Sequence, residues 1–330
     1  MTDKNDVVVD LQSPQAVLDP DIRRFVNEVA ASYASYPNLE GQPLSEARRI
    51  AEEVRAPWRQ GGPVMARTTE RTIPTRHGGV RLRFHHPDGA TSSPALIYLH
   101  GGGFTLFSID THDRVMREYA GRSGMVVIGV DYPLSPEAKF PAALESVVDV
   151  VRWLGEHAAE AGVDASRLAI GGDSAGGNIS LATCLTLRDS AAPQLRGMLL
   201  NYGGFATVTS VESERRYGGP GFMLNTDEMV FFWDNYLSGP ADRQNPLAIP
   251  LLADLRGLPP AFLAIPECDI LTEQSHAMAR RLREAAVPVE DVIYPGATHS
   301  FLEAVSISPL AARALQDGAD WLRRVLASGN

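Results

Sequence analysis

Two cysteines, Cys184 and Cys268, are all that the 330 residues contain, and no C-x-x-C pair occurs. This excludes a disulfide framework and the common cysteine-based metal and redox motifs. Long apolar runs are absent too. MVVIGV at 125–130 is typical, far below the roughly 20 residues that span a bilayer. The opening MTDKNDVVVD has no basic segment followed by an apolar run, so no secretory signal is read there and the cytoplasm is the expected setting. Basic residues are outnumbered, 30 Lys and Arg against 40 Asp and Glu, for a net charge of −10. Such a surface repels phosphate backbones and anionic lipid, so neither nucleic acid nor a membrane is expected as a partner. No internal repeat or low-complexity tract interrupts the chain. At 44% hydrophobic and 21% charged, the composition is that of a folded domain rather than a disordered one. The length suits one large α/β domain with an added subdomain.

Residues 1–60 read as helical and amphipathic. Ile22, Phe25, Val26, Val29 and Ala30 recur at helical spacing, and a second such segment runs near Leu44 to Trp58. GGP at 61–63 ends this pattern. TERTIPT (69–75) and VRLRFHH (80–86) then read as strands about an HGG turn. Six more short β-favouring runs follow at 95–100, 125–130, 167–172, 197–202, 261–266 and 289–294. Helical stretches at 111–120, 142–158, 175–188, 273–286 and 308–326 separate most of them. Apolar strands alternating with helices imply a mostly parallel sheet covered on both faces. Residues 205–245 break the rhythm with GGPGF (218–222) and the aromatics Phe231, Phe232, Trp233 and Tyr236. They read as an insertion that covers something.

Gly172-Asp173-Ser174-Ala175-Gly176 matches the nucleophile-elbow pattern, between the apolar run RLAI and a helix rich in small residues. Ser174 is the expected nucleophile. A sharp strand-to-helix turn leaves no room for a Cβ two positions either side of it, which explains both glycines. His100-Gly101-Gly102-Gly103-Phe104 is more specific. Three glycines at a strand end weaken a core but let backbone N–H groups approach a ligand atom. Acyl transfer needs such donors where the carbonyl oxygen becomes an oxyanion. The N–H groups of Gly102, Gly103 and Ala175 are assigned that role, and Gly101 supplies backbone freedom.

The base is expected to be a histidine, since a proton must be taken near pH 7. His85 and His86 fall in an early strand, His77 in a turn, and His112, His157 and His276 on helices. His100 belongs to the glycine motif, where it reads as a brace. His299 remains, on a loop just past the last strand, at the sheet edge where α/β sites lie. The acid should fall between nucleophile and base in the chain. Asp269 directly follows AFLAIP and is the choice, with Glu267 and Glu273 as rivals. No H-E-x-x-H or other ligand cluster is present, so neither a metal nor a cofactor is expected.

These motifs, with DYPLSPEAKFPAAL (131–144), GDSAGGN (172–178), ECDIL and GATHSF, resemble the hormone-sensitive-lipase-like family of α/β-hydrolases, the bacterial family IV esterases. The resemblance covers residues 65–330 well and the N-terminal helices more loosely. The family's usual arginine in D-Y-R-L-A-P-E is Pro133 here, and its D-P-L-R-D reads Asp269-Ile270-Leu271-Thr272-Glu273. The resemblance implies an α/β-hydrolase fold: a mostly parallel eight-stranded sheet flanked by helices, with a helical cap. The N-terminal segment 1–60 and the insertion 205–245 would form the cap, and 61–204 with 246–330 the catalytic domain. It also implies that small carboxylic esters are the substrates, and a homodimer through the last strand. Phe205, Met223, Leu224, Phe231 and Phe232 are the candidates to line a closed pocket that prefers short acyl chains. An amidase or peptidase with the same residues, a non-catalytic small-molecule binder, and a lipase are the alternatives.

Overall fold

The computed structural model describes residues 17–36, 42–188, 190 and 193–327. Residues 1–16 and 37–41 of the expected N-terminal helical segment lie outside the described residues. The eight β-favouring runs become β1 (Arg67–Thr75), β2 (Gly78–His86), β3 (Ser93–Leu99), β4 (Val126–Asp131), β5 (Val163–Asp173), β6 (Leu195–Asn201), β7 (Ala261–Pro266) and β8 (Val289–Tyr294). They form one sheet in the order β1-β2-β4-β3-β5-β6-β7-β8. β2 pairs antiparallel with both of its neighbours, and every other pairing is parallel. The β1–β2 turn is tighter than the sequence suggests. Thr75 pairs with Gly78, whose φ of +108° lies in a region that glycine tolerates.

The helices are α1 (Pro20–Ala34), α2 (Leu44–Arg55), α3 (Asp113–Ser123), α4 (Ala142–Ala161), α5 (Ala175–Arg188), α6 (Val211–Tyr217), α7 (Thr226–Tyr236), α8 (Thr272–Glu284) and α9 (Pro309–Ala327). α3 packs with α9 and α4 with α5 as they flank the sheet. The core strands β3 to β7 are almost wholly buried apart from residues 164–167 at the start of β5. β8 is not: having a neighbour on one side only, it exposes Glu290 and Ile293.

The segments that break the βα rhythm sit over the C-terminal edge of the sheet. α1 starts on an Asp19 cap whose carboxylate accepts from the N–H groups of Asp21 and Ile22, with Pro20 in its first turn. It buries Ile22, Phe25, Val26 and Val29, the stripe that the helical spacing predicts. Phe25 meets Trp58 edge-on at 4.6 Å, and α1 packs on α2. The Asp19 N–H also donates to the carbonyl of Gly296 at 3.0 Å, which ties α1 to the loop that carries His299. α7 begins with a capping box between Asn225 and Glu228. At its other end Lys139 donates to the carbonyls of Asp234 and Leu237, both at 2.9 Å, where a cation suits the helix dipole.

Candidate active site

Three strand ends bring the chemistry together. Ser174 follows β5, Asp269 lies in the turn after β7, and His299 lies in the loop after β8. Ser174 holds φ at +52°, a left-handed conformation uncommon for a side-chain-bearing residue. Its N–H donates to the Asn201 carbonyl at 3.0 Å, which pins the elbow to β6. A Cβ at Gly172 or at Gly176 would run into the Leu99 carbonyl oxygen, so β3 passes too close for any residue but glycine at either position.

The Ser174 hydroxyl donates to His299 Nε2 at 2.9 Å, and His299 Nδ1–H donates to Asp269 Oδ2 at 2.7 Å. Asp269 is buried, and its other oxygen accepts the Leu271 N–H at 2.9 Å, so its carboxylate is supported from within its own turn. Burial works to lower the pKa of His299, but the charge and hydrogen bond of Asp269 outweigh it and the net shift is upward. The rival acids are exposed. Glu267 is occupied by the Gly296 N–H at 3.0 Å.

The glycine loop leaves β3 and turns sharply, with φ of +106° at Gly102 and +58° at Gly103. A Cβ at Gly102 would strike the Leu106 carbonyl, and one at Gly103 the ring of Phe232. Among the described residues, the N–H groups of Gly102, Gly103 and Ala175 donate to no backbone or side-chain group, so all three are free to face a ligand oxygen. All three residues line the same cavity as Ser174 and His299.

Long-range contacts fix this loop. Arg48 of α2 donates from Nε to the Thr105 carbonyl and from Nη2 to the Ser135 carbonyl, both at 2.8 Å, and pairs with Glu137 at 2.7 Å. Phe104 stacks on Tyr236 of α7 with centroids 3.7 Å apart. His100 braces the loop chiefly through its ring, which lies 4.3 Å from Tyr132 and nearly parallel to it. Burial, then the charge of His112, push its pKa down to about 4. The Tyr132 hydroxyl donates to the His100 carbonyl at 2.7 Å, so the stretch that has Pro133 in place of the family arginine still supports the motif.

Sequence reasoning missed what lies beneath the elbow. His112 reads there as an ordinary helix histidine. It is fully buried and reaches Asp173 at 3.3 Å, and Asp173 also accepts from the Tyr98 hydroxyl at 2.8 Å. Burial favours the neutral forms, but each partner's charge favours the other's ionised form: Asp173 shifts down and His112 up. The one signal was an acid directly before the nucleophile.

Met223, Leu224 and Phe232 line a cavity of about 390 Å³ that opens onto Ser174, a volume suited to a small ligand. Two of the expected lining residues do not reach it. Phe205 is fully buried in the core, because Gln274 Oε1 holds its N–H at 2.8 Å and the ring tucks against Gly203. Phe231 is 49% exposed. α7 buries Met229, Trp233 and Tyr236 on one face, and Phe231 falls on the other, touching Phe232 edge-on at 5.5 Å. No group of three or more His, Cys, Asp or Glu side chains able to hold a metal occurs among the described residues. No helix among them is long and apolar enough to cross a membrane.

A family model for the alpha/beta hydrolase fold matches residues 96–303. A hyperthermophilic esterase from the archaeon Pyrobaculum calidifontis is 32% identical, with a TM-score of 0.86 over 94% of this chain and 99% of that one. A thermostable carboxylesterase cloned from a metagenomic library is 33% identical, with a TM-score of 0.83 over 86% of this chain and 98% of that one. An ester hydrolase from the metagenome of Lake Arreo, crystallised with a bipyridine phosphonate derivative, is 31% identical, with a TM-score of 0.87 over 94% of this chain and 100% of that one. With the elbow, the glycine loop and the Ser174–His299–Asp269 relay all present, this chain belongs to the hormone-sensitive-lipase-like, bacterial family IV esterases of the α/β-hydrolase superfamily.

Proposed function

We propose that this carboxylesterase cleaves small, short-chain acyl esters through an acyl-enzyme on Ser174. The observation that carries the reading is the unbroken hydrogen-bonded relay from Ser174 through His299 to a buried Asp269. His299 Nε2 takes the hydroxyl proton as Oγ attacks the ester carbonyl. The oxygen turns into an oxyanion that accepts from the free N–H groups of Gly102, Gly103 and Ala175, with no reorganisation needed at that moment. The imidazolium then gives its proton to the departing alcohol. Water repeats the sequence on the acyl-enzyme and frees the acid.

Acyl length follows from the cavity. α1, α7 and the 218–225 loop roof it, so it favours each added methylene by up to about 0.8 kcal/mol until the chain meets the wall. Past that point each carbon must displace packed side chains, at about 1–3 kcal/mol. Across p-nitrophenyl esters, kcat/KM should climb over the first few carbons and then fall steeply, with acetyl to hexanoyl good and palmitoyl poor. A steady rise to long chains, or a jump above the micellar concentration, would favour a lipase. A p-nitroanilide cleaved as fast as the matching ester would favour an amidase. This chemistry asks nothing of a metal, so prolonged EDTA treatment should leave the ester rate unchanged. A loss that zinc restores would count against the relay.

A further inference from the structure

His112 sits at the N-cap of α3, buried and outside the wall of the cavity that holds Ser174. The hydrogen bonds around its ring count its protons. Nδ1 lies 2.9 Å from the Thr111 hydroxyl oxygen. A hydroxyl has one hydrogen, and that of Thr111 goes to the Ser108 carbonyl at 2.7 Å, while the Ser108 N–H donates to the same oxygen at 3.1 Å. Thr111 has nothing left to donate, so Nδ1 supplies the hydrogen of its bond. Nε2 faces Asp173 Oδ2 at 3.3 Å. The other Asp173 oxygen accepts from the Tyr98 hydroxyl, which favours a carboxylate, and a carboxylate can only accept. Nε2 therefore carries a hydrogen too, and a ring with both N–H groups is an imidazolium. It lies between the two ends of the glycine loop, 5.6 Å from the His100 ring and 5.8 Å from that of Phe107. Asp173 directly precedes Ser174, and its Oδ2 comes so close to Gly101 that a Cβ there would strike it.

We infer that His112, as an imidazolium, is a positioning residue for the oxyanion donors: held between Thr111 and Asp173, it fastens the glycine loop to the elbow that carries Ser174 and Ala175. Loss of a proton undoes the fastening. With Asp173 opposite Nε2, the proton that leaves is the one on Nδ1, and lone pairs of Nδ1 and Thr111 Oγ1 then face each other. The 108–112 segment gives way there, and the glycine loop shifts with it. Burial opposes the charge on His112, Asp173 supports it most strongly, Glu303 adds support and Arg55 detracts, for a net upward shift. Arg55 of α2 and Glu303 of the 3₁₀ turn Phe301–Ser306 pair with each other at 2.8 Å. Glu52, also of α2, faces the ring from beside Ser108, whose hydroxyl it accepts at 2.7 Å. Next in the chain, Asp113 is taken up by Arg83, Arg117 and His85. His100, with its pKa pushed down to about 4, adds no charge near neutrality. The inference rests on the Ser174–His299 relay. A missing rising limb in the pH profile would fault that relay, and the falling limb alone tests His112.

Hydrolysis of ethyl butyrate, followed by pH-stat titration from about pH 5 to 10, should give the parent a bell-shaped kcat. The rate rises as His299 loses its proton and falls again as His112 loses its own. The fall should approach about 10²-fold, the usual cost of a misplacement of about 1 Å, and should reverse on return to neutral pH. KM should stay within about threefold, because His112 touches no substrate. His112→Gln keeps an N–H donor for Asp173 but has no proton to lose. It should lower the maximal kcat by about tenfold, part of the same loss, and abolish the falling limb. Thr111→Val keeps the shape but removes the acceptor of Nδ1–H, and should move the falling limb to lower pH. It tests the same limb if His112→Gln does not fold. Long-range ¹H–¹⁵N spectra of the parent, with His112 identified by what these variants change, should show both ring nitrogens protonated at neutral pH. Four results would each overturn the inference: a kcat that stays level to pH 10, a falling limb that both variants leave in place, a loss carried by KM, or a His112 ring with one bare nitrogen.

Discussion

Replacing Ser174 by alanine is expected to lower kcat by about 10⁶, since the residues of such a relay act as a unit and loss of the nucleophile removes nearly all of its effect. The fold should survive. The Ser174 side chain makes one hydrogen bond, to His299, worth about 0.5–1.5 kcal/mol net. The strained φ of +52° is no harder for alanine than for serine. The contacts that hold the elbow come from backbone: the Ser174 N–H to Asn201, and the Ser174 carbonyl to the N–H groups of Asn178 and Gly204. None of them changes. Steady-state hydrolysis of p-nitrophenyl butyrate, beside thermal melts followed by circular dichroism, reads both halves of the expectation. A melting temperature within about 4 °C of the parent would match a loss of roughly 1 kcal/mol in a chain of this size. Activity that persists in a folded variant would mean that another group attacks the ester.

Why these positions were legible in the sequence, and others were not, comes down to how local their signals are. Gly172 and Gly176 flank Ser174 because β3 passes too close for a Cβ at either, and a constraint of that kind is written within five consecutive residues. Gly102 and Gly103 answer to the turn of their own loop and to the ring of Phe232. His299 and Asp269, which the structure brings within hydrogen-bond distance of each other, were picked by their places after strands, which hydrophobic runs mark well. The strands and helices themselves came within a few residues of their bounds for the same reason. The supporting shell is different. Arg48 reaches Thr105 and Ser135, Arg55 reaches Glu303, and His112 reaches Asp173. Each joins segments far apart in sequence, and no periodicity records such a meeting. Phe205 and Phe231 failed as pocket residues on a finer point. Both are apolar in a segment that covers a pocket, but one turns into the core and the other lies on the outer face of α7. Apolar character fixes that a side chain is worth burying, not which of two apolar surroundings takes it.

The same distinction sharpens what should follow from Asp269→Asn. The Asp269 carboxylate has two jobs: one oxygen accepts the Leu271 N–H at 2.9 Å and the other accepts His299 Nδ1–H at 2.7 Å. An asparagine side chain has one oxygen. If that oxygen keeps the Leu271 bond, its NH₂ faces Nδ1, and the imidazole must carry its proton on Nε2, where it can no longer accept from Ser174. A loss of about 10⁴ in kcat is the expected size of that tautomer error. The pH profile supplies a second, independent reading. In the parent, His299 must be neutral to act, and although burial pulls its pKa down, the charge and hydrogen bond of Asp269, with the weaker pull of Asp173 and Glu228, raise it on balance. The activity limb should therefore rise with pH at a midpoint above the ordinary imidazole value of about 6.5. Removing the charge leaves burial opposed only by the weaker pull of Asp173 and Glu228, so the residual activity of the variant should titrate at a lower pH than the parent. Glu267→Gln and Glu273→Gln serve as controls: both acids are exposed, and each change should leave kcat within about twofold, as exposed substitutions generally do. An Asp269→Asn enzyme within tenfold of the parent, or one whose limb stays in place, would move the acid of the relay to another residue.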